Sequence, residues 1–376
     1  MKILIGGDLC PINSNKVPFE LAETETIFQN FAKEIQSADF SVVNLESPLT
    51  FSKTKSPKSG ANLKASPHTI NGIKAAGFDL LSAANNHIGD FGEKGISETI
   101  ETCKKNKIPV IGVGNNHYEA SKPYIFELDK IRIGILAFAD TEFGMASQNR
   151  AGANPFDLIS SIKAIEKLKS NVDFVIVLLH EGKEYYQYPS PDLQQICRFL
   201  IERGANLIVC QHSHVIGAWE EYRNGDIFYG QGNLIFDYAN RKSKEWLYGF
   251  LINVELTNGK KKIKLIPYKQ NFPGIRPLSD LENEWFWELT SNLKKKVNDE
   301  SFIKKNWIEF SKNYTENYIS ILKGHGKIRR KLFKLLKLYR VSYSQSSLLT
   351  ILNITRSRVH REMIRTILEQ NTKEND

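Results

Sequence analysis

With 376 residues, 41% hydrophobic and 11% aromatic, only 13 prolines and no low-complexity tract, the chain can bury a sizeable core, which excludes a disordered polymer and a small disulfide scaffold. Its four cysteines, Cys10, Cys103, Cys197 and Cys210, form no Cys-x-x-Cys pair, so neither a disulfide framework nor a zinc knuckle is suggested and a reducing compartment is expected. The net charge of +9 is lopsided: residues 281–376 hold 19 Lys and Arg against 11 Asp and Glu, a balance of +8, and residues 1–280 are near neutral.

Residues 1–240 alternate β-type runs with amphipathic stretches, which predicts an α/β domain. Strands are expected at Lys2–Ile5, Phe40–Val43, Leu80–Ala83, Val110–Val113, Ile131–Phe138, Phe174–Leu179 and Leu207–Cys210. Thr24–Ile35 and Ser160–Leu168 repeat apolar residues three and four apart, the spacing of a helix with one buried face. From Trp246 to Pro267 two β-runs surround Thr257-Asn258-Gly259, an Asn-Gly hairpin signal. After Pro273 and Pro277 the pattern becomes helical, with Trp285, Trp287 and Trp307, so the boundary is placed near residue 279: an α/β domain over 1–278 and a basic helical region over 279–376.

No apolar run approaches the roughly 20 residues of a membrane-crossing helix, and the opening Met1–Ile5 is too short for a signal-peptide core. The expected location is therefore the cytoplasm, with peripheral membrane contact through the tail as an option. Leu322 to Arg340 holds eight basic residues and no acidic one, with Ile328, Leu332, Leu335, Leu336 and Tyr339 on one helical face. Such a helix can lie on an anionic membrane or bind an acidic polymer. Packing on its own domain with its lysines in water is an equal alternative. Nucleic acid is disfavoured, because no recognised binding module accompanies the charge.

The chemistry-bearing residues follow the predicted strands. Asp8 comes after the first; Glu46 after the second; Asn86 and His87 after the third; His180 closes 174–179; His212 and His214 follow 207–210. Ligands of open α/β sheets bind outside strand carboxyl ends, so five loops can converge on one site. Carboxylate, amide and imidazole donors together suit Mn, Fe, Zn or Mg better than a thiolate site would. One or two divalent ions are expected, and a pair about 3.5 to 4 Å apart can activate water and clamp a phosphate ester. Two imidazoles spaced two apart at a strand end should face the same way.

Six ordered motifs carry a resemblance: Gly7-Asp8, Asn44-Leu45-Glu46-Ser47-Pro48-Leu49, Ala84-Asn85-Asn86-His87 with Asp90 and Gly92, His180-Glu181-Gly182-Lys183-Glu184-Tyr185, His212-Ser213-His214-Val215 and Gly232-Asn233-Leu234-Ile235-Phe236-Asp237. Over about residues 1–270 the chain resembles the CapA family of capsule-biosynthesis proteins associated with poly-γ-glutamate, whose fold is similar to calcineurin-like metallophosphatases. The resemblance implies a metallophosphatase-like layered β-sandwich flanked by helices, followed here by the basic helical tail. It implies Asp8, Glu46, Asn86, His180, His212 and His214 as metal ligands, with Glu46 bridging, and His87 as the acid beside the leaving group. It also implies a metal-dependent hydrolase, phosphoesterase-like, acting on an anionic polymer or phosphoester in capsule or cell-surface polymer biosynthesis. Two departures stand out: Asp8-Leu9-Cys10 replaces the phosphatase Asp-x-His, and Glu46 replaces an Asp. A degenerate assembly factor and a γ-linked amide hydrolase remain alternatives.

Plainer readings accompany each residue. Asp8 also reads as a turn residue, Asn85-Asn86 as a helix cap, His180 as a satisfied core histidine, and Cys10 as a small buried side chain, with a thiolate ligand at the missing histidine position as the sharper alternative. Asp90 and Glu184 read either as catalytic-site partners that orient imidazoles or as surface charges.

Overall fold

The computed structural model describes residues 1–58, 61–238, 244–257, 260–313 and 327–338. The strands are β1 (Lys2–Cys10), β2 (Phe40–Leu45), β3 (Leu80–Ser82), β4 (Val110–Ile111), β5 (Val113–Gly114), β6 (Tyr124–Leu128), β7 (Ile131–Ala139), β8 (Gly152–Ala153), β9 (Phe174–His180), β10 (Leu207–Cys210), β11 (Trp219–Tyr222), β12 (Gly225–Phe228), β13 (Asn233–Phe236), β14 (Tyr248–Thr257), β15 (Lys260–Asn271) and β16 (Gly274–Arg276). They build two principal sheets. One runs β16-β15-β14-β1-β2-β3-β4, with β13 also on β1; the other runs β11-β12-β10-β9-β7-β6.

Alternation along β1 shows how the layers form. Ile3 and Ile5 join Val42 and Leu80 in a core shared with Ile135, Ile176 and Ile208 of the second sheet. Leu4, between them, turns to the opposite face, where it packs with Phe19, Phe28, Ile70 and Ile73 from the short N-terminal helical segments. Period-two side-chain placement thus makes β1 apolar on both faces, as a strand covered on both sides must be. Helices Leu158–Lys169 and Pro191–Glu202 add Ile165, Leu168, Leu193 and Leu200 to the shared core. The layered sandwich flanked by helices is the fold expected from the sequence.

Local expectations change in three places, the first being Val110–Val113, which divides into β4 and β5 in different sheets. The stretch Thr24–Ile35 is two short helices, Thr24–Phe28 and Phe31–Gln36, broken where Gln29 takes φ 47°. β14 and β15 pair as the expected hairpin, with Thr257 opposite Lys260, while its turn residues 258 and 259 lie outside the described residues. Helix Asp280–Val297, assigned by sequence to the tail, places Phe286, Leu293 and Val297 in the shared core, with Phe286 edge-on to Phe250 at 6.0 Å. The compact units accordingly divide as Met1–Lys305 and Asn306–Asp376 rather than at 279, because a helix with three core residues cannot be parted from the sheet it covers.

The start of that helix is held by one carboxylate. Glu282 completes a capping box with Ser279 and accepts from Tyr248 Oη at 2.9 Å, Lys269 Nζ at 2.8 Å and both Arg276 terminal nitrogens at 2.7 and 2.8 Å. Hydrogen bonds from Arg276, against some burial, hold its pKa well below the ordinary 4.5. The stabilisation is therefore complete above about pH 4.5 and drains away as pH falls through the depressed value. Glu282→Gln should cost about 1 to 3 kcal/mol near neutrality. Urea unfolding of both chains at pH 7 and at pH 3 should show that gap narrow in acid.

Candidate metal centre

The carboxyl ends of β1, β2, β3, β9 and β10 bring the donors together, and two features of the backbone aim them. β1 does not stop short of Asp8 as expected: it continues to Cys10, and Asp8 sits at a bulge where the register shifts against both β2 and β13. Gly7 is required there, since a β-carbon would collide with the Gly232 carbonyl oxygen, itself on a residue at φ 73°. His212 and His214 both adopt left-handed backbone, at φ 82° and 59°, a strained state for residues other than glycine. They therefore do not project as strand neighbours facing one way; each enters a different donor group.

Those groups are Glu46–His180–His212 and Asp8–Glu46–His214, each with ligand atoms within 4.8 Å of one another and all five residues buried. Glu46 belongs to both. His180 Nε2 lies 3.5 Å and His214 Nε2 3.7 Å from Glu46 Oε1, while His214 Nδ1 lies 3.3 Å from Asp8 Oδ2. Asn86 joins the first group, its Oδ1 being 3.1 Å from His180 Nε2. All six residues expected as ligands thus share one site. Asn44, unassigned by sequence although inside a quoted motif, donates to Asp8 Oδ1 at 2.8 Å; Asn233 Oδ1 meets His214 Nδ1 at 2.9 Å. Cys10 is buried among Leu63, Phe236 and Trp246 and belongs to neither group, in keeping with its plain reading.

Asn85 and Asn86 separate in role. Asn85 accepts from the His87 and Ile88 amides at 3.1 and 2.9 Å, so it caps the turn that carries its neighbours into the site. His87 Nδ1 lies 2.7 Å from Asp90 Oδ2, which leaves Nε2 for chemistry. Asp90 is fully buried, pairs with Lys58 and accepts from the Leu63 amide at 2.6 Å. Lys58 was invisible to sequence reading because it sits in an irregular loop with no motif around it. A cavity of about 160 Å³ borders the site, lined by Lys58, His87, Glu142, Glu184, His214 and Trp246 among others. Glu184 thus faces the cavity, and its charge contributes to the His214 environment.

The electrostatics are those of a carboxylate-rich pocket. Burial works to raise Asp8, but the His214 hydrogen bond and the charge of His180 prevail and hold it at about 2. Burial works to lower His214, yet Glu46 and Asp8 lift it to about 9. His212 is pushed well below its usual 6.5, first by burial and then by the neighbouring imidazoles His180 and His214, and so stays neutral. Both Glu46 oxygens and His212 Nδ1 are buried without a hydrogen-bond partner. A buried carboxylate with neither oxygen hydrogen-bonded is costly even beside a charged imidazole. A divalent cation held by these residues would offset that cost, and the oxygen and imidazole donor set suits one.

The fold and site define a two-sheet α/β protein whose twin donor groups fit divalent metal. Residues 2–238 match the family described as bacterial capsule synthesis protein PGA_cap, and the chain belongs to that family. It is 29% identical over 284 residues to the capsule biosynthesis protein CapA of Bacillus anthracis, covering 72% of this chain and 68% of that protein. It is 29% identical over 225 residues to the PGA biosynthesis protein CapA of Bacillus subtilis, covering 59% of each. Among solved structures, a phosphatase from Mycoplasma pneumoniae overlays with a TM-score of 0.45 at 17% identity, covering 73% of this chain and 95% of that one.

The orphaned carboxylate makes a thermal prediction. Mn²⁺ or Zn²⁺ at a hundred times its Kd should stabilise the chain by about 2.7 kcal/mol. Glu46→Gln should abolish that gain and raise the melting midpoint of the metal-free protein, as followed by circular dichroism with and without chelator. An unchanged metal-induced shift in the variant would remove Glu46 from the site.

Proposed function

We propose that the chain is a metal-dependent hydrolase of the phosphoesterase type, acting on an anionic polymer or phosphoester during capsule or cell-surface polymer biosynthesis. The observation that carries this reading is the sharing of Glu46, buried with neither oxygen hydrogen-bonded, by two donor groups beside an imidazole–carboxylate pair. Asp8, Glu46 and His214 would hold one ion; Glu46, Asn86, His180 and His212 would hold the second. Bound Mn, Fe, Zn or Mg would supply Lewis acidity for the scissile group and for water. His87 lines the cavity with Nδ1 held by Asp90, so Nε2 is the atom that would deliver a proton to the leaving oxygen. Asp90 holds Nδ1 of His87 at 2.7 Å and so fixes the ring orientation, while Lys58 pairs with the same carboxylate. Glu184 shapes the cavity wall and adds to the field at His214. The names of the two Bacillus relatives support capsule polymer, poly-γ-glutamate included, as the setting. A γ-linked amide is a second bond the same residues could address.

One observation favours a different class, a polymer-binding or assembly factor. Cys10 stands where the phosphatase motif has histidine, so the Asp8 side offers three donors rather than four. Metal analysis of the purified chain with a phosphoester screen separates the classes. His87→Asn should retain metal and lose about a hundredfold to ten-thousandfold in turnover of a poor leaving group, with a smaller loss on an activated aryl ester. Equal losses on both would make His87 structural.

The basic tail supports peripheral contact with an anionic surface. Among the described residues no helix is long and apolar enough to cross a membrane. Helix Lys327–Leu335 exposes Ile328 and Leu335 at 86% and 79% and leaves Leu332 half-exposed, beside Lys331 and Lys334; residues 322–326 and 339–340 of the expected helix lie outside the described residues. Each basic residue near an anionic bilayer adds about 1 kcal/mol. Full-length protein should co-sediment with phosphatidylserine vesicles at low salt and release at high salt. Substituting Lys331, Lys334 and Lys337 with Gln should weaken binding, and no binding at low salt would leave the helix without a membrane role.

A further inference from the structure

We propose that Glu142, which carries no motif, is the positioning residue for one of the two ion-holding groups, setting both the His212 tautomer and the Asn86 amide orientation. The inference deepens the metal-site reading and rests on it. Glu142 follows β7, at the same carboxyl edge as the donors, and its carboxylate reaches two of them. Oε2 accepts from Asn86 Nδ2 at 3.1 Å, and Oε1 lies 3.8 Å from His212 Nε2.

An amide can offer a carboxylate only its NH₂ side. Gripping Asn86 by Nδ2 therefore fixes Oδ1 inward, at 3.1 Å from His180 Nε2, where a metal donor is needed. A neutral imidazole carries one proton on one of two nitrogens. His212 Nδ1 is buried with no hydrogen-bond partner, while Nε2 faces Glu142. A proton on Nε2 leaves the Nδ1 lone pair for a cation, the arrangement in which a metal-ligating histidine gives its other N–H to a carboxylate. At 3.8 Å the contact is longer than a hydrogen bond. The Glu142 side chain is 40% exposed and so has room to rotate toward Nε2.

The backbone keeps the two loops in register. Gly144, at φ 69°, packs its Cα against Gly89, so closely that a β-carbon on either glycine would overlap the other residue. The segment bearing Glu142 is thereby docked on the segment bearing Asn86 and His87. No side chain intervenes to hold them apart.

The test uses the full chain and has two readouts. In metal-free protein, long-range ¹⁵N–¹H spectra of the imidazoles, with His212 identified by its loss in His212→Ala, should show the Nε2–H tautomer. Glu142→Ala should shift it toward a mixture, and Glu142→Gln, which keeps an acceptor oxygen, should restore most of it. In calorimetric titration with Zn²⁺, Glu142→Ala should weaken one ion by about ten- to a hundredfold and leave the other within about twofold, again with rescue by Gln. Unchanged tautomer and affinity in the Ala variant would overturn the inference, as would a Gln variant no better than Ala. If the wild-type chain binds no ion tightly, the metal-site reading fails, and the metal-free tautomer comparison still decides the role of Glu142.

Discussion

Glu46 is a carboxylate sealed inside the protein with neither oxygen hydrogen-bonded, and the site is organised around that unmet demand. Three imidazoles and a second carboxylate approach it without satisfying it, at separations of a coordination shell rather than of hydrogen bonds. Such an arrangement costs stability wherever a cation is not supplied. The same volume filled by apolar side chains would fold more firmly.

The architecture explains how so many polar groups can share a buried edge. β1, β2 and β3 run parallel in one sheet, and β7, β9 and β10 run parallel in the other. Their carboxyl ends open onto one site. The apolar core between the sheets fixes those ends rigidly, with Ile3, Ile5, Ile135, Ile176 and Ile208 among its members. Side chains just past each strand then inherit positions set by the core, as catalytic geometry requires.

Local strain completes what the sheets begin. Left-handed backbone at His212 and His214 sends two histidines separated by one serine into the two donor groups that share Glu46. Each such residue costs on the order of 1 to 3 kcal/mol. The bulge at Asp8 acts in the same sense, rotating its carboxylate toward His214 while Gly7 lets the chain pass Gly232. Function is thus placed where the regular ladder is interrupted.

The sequence by itself determined the strands that carry the site, because period-two burial and β-branched runs are local signals, and it determined the ligand candidates, because Asp8, Glu46, Asn86, His180, His212 and His214 all lie at or past the ends of the apolar runs it shows. It also carried the family resemblance, since the ordered motifs are contiguous in the chain. What only the tertiary structure decided depends on pairs distant in sequence. Asn44 beside Asp8, Lys58 on Asp90 and Glu142 between Asn86 and His212 are contacts across 32 to 70 residues, and no local pattern encodes them. The division of His212 and His214 between two groups followed from backbone angles that a two-residue spacing does not reveal. The assignment of helix Asp280–Val297 to the first unit followed from Phe286 meeting Phe250, a packing choice open to an amphipathic helix until its partner surface exists. Periodicity says which face will be buried; the assembled core says against what.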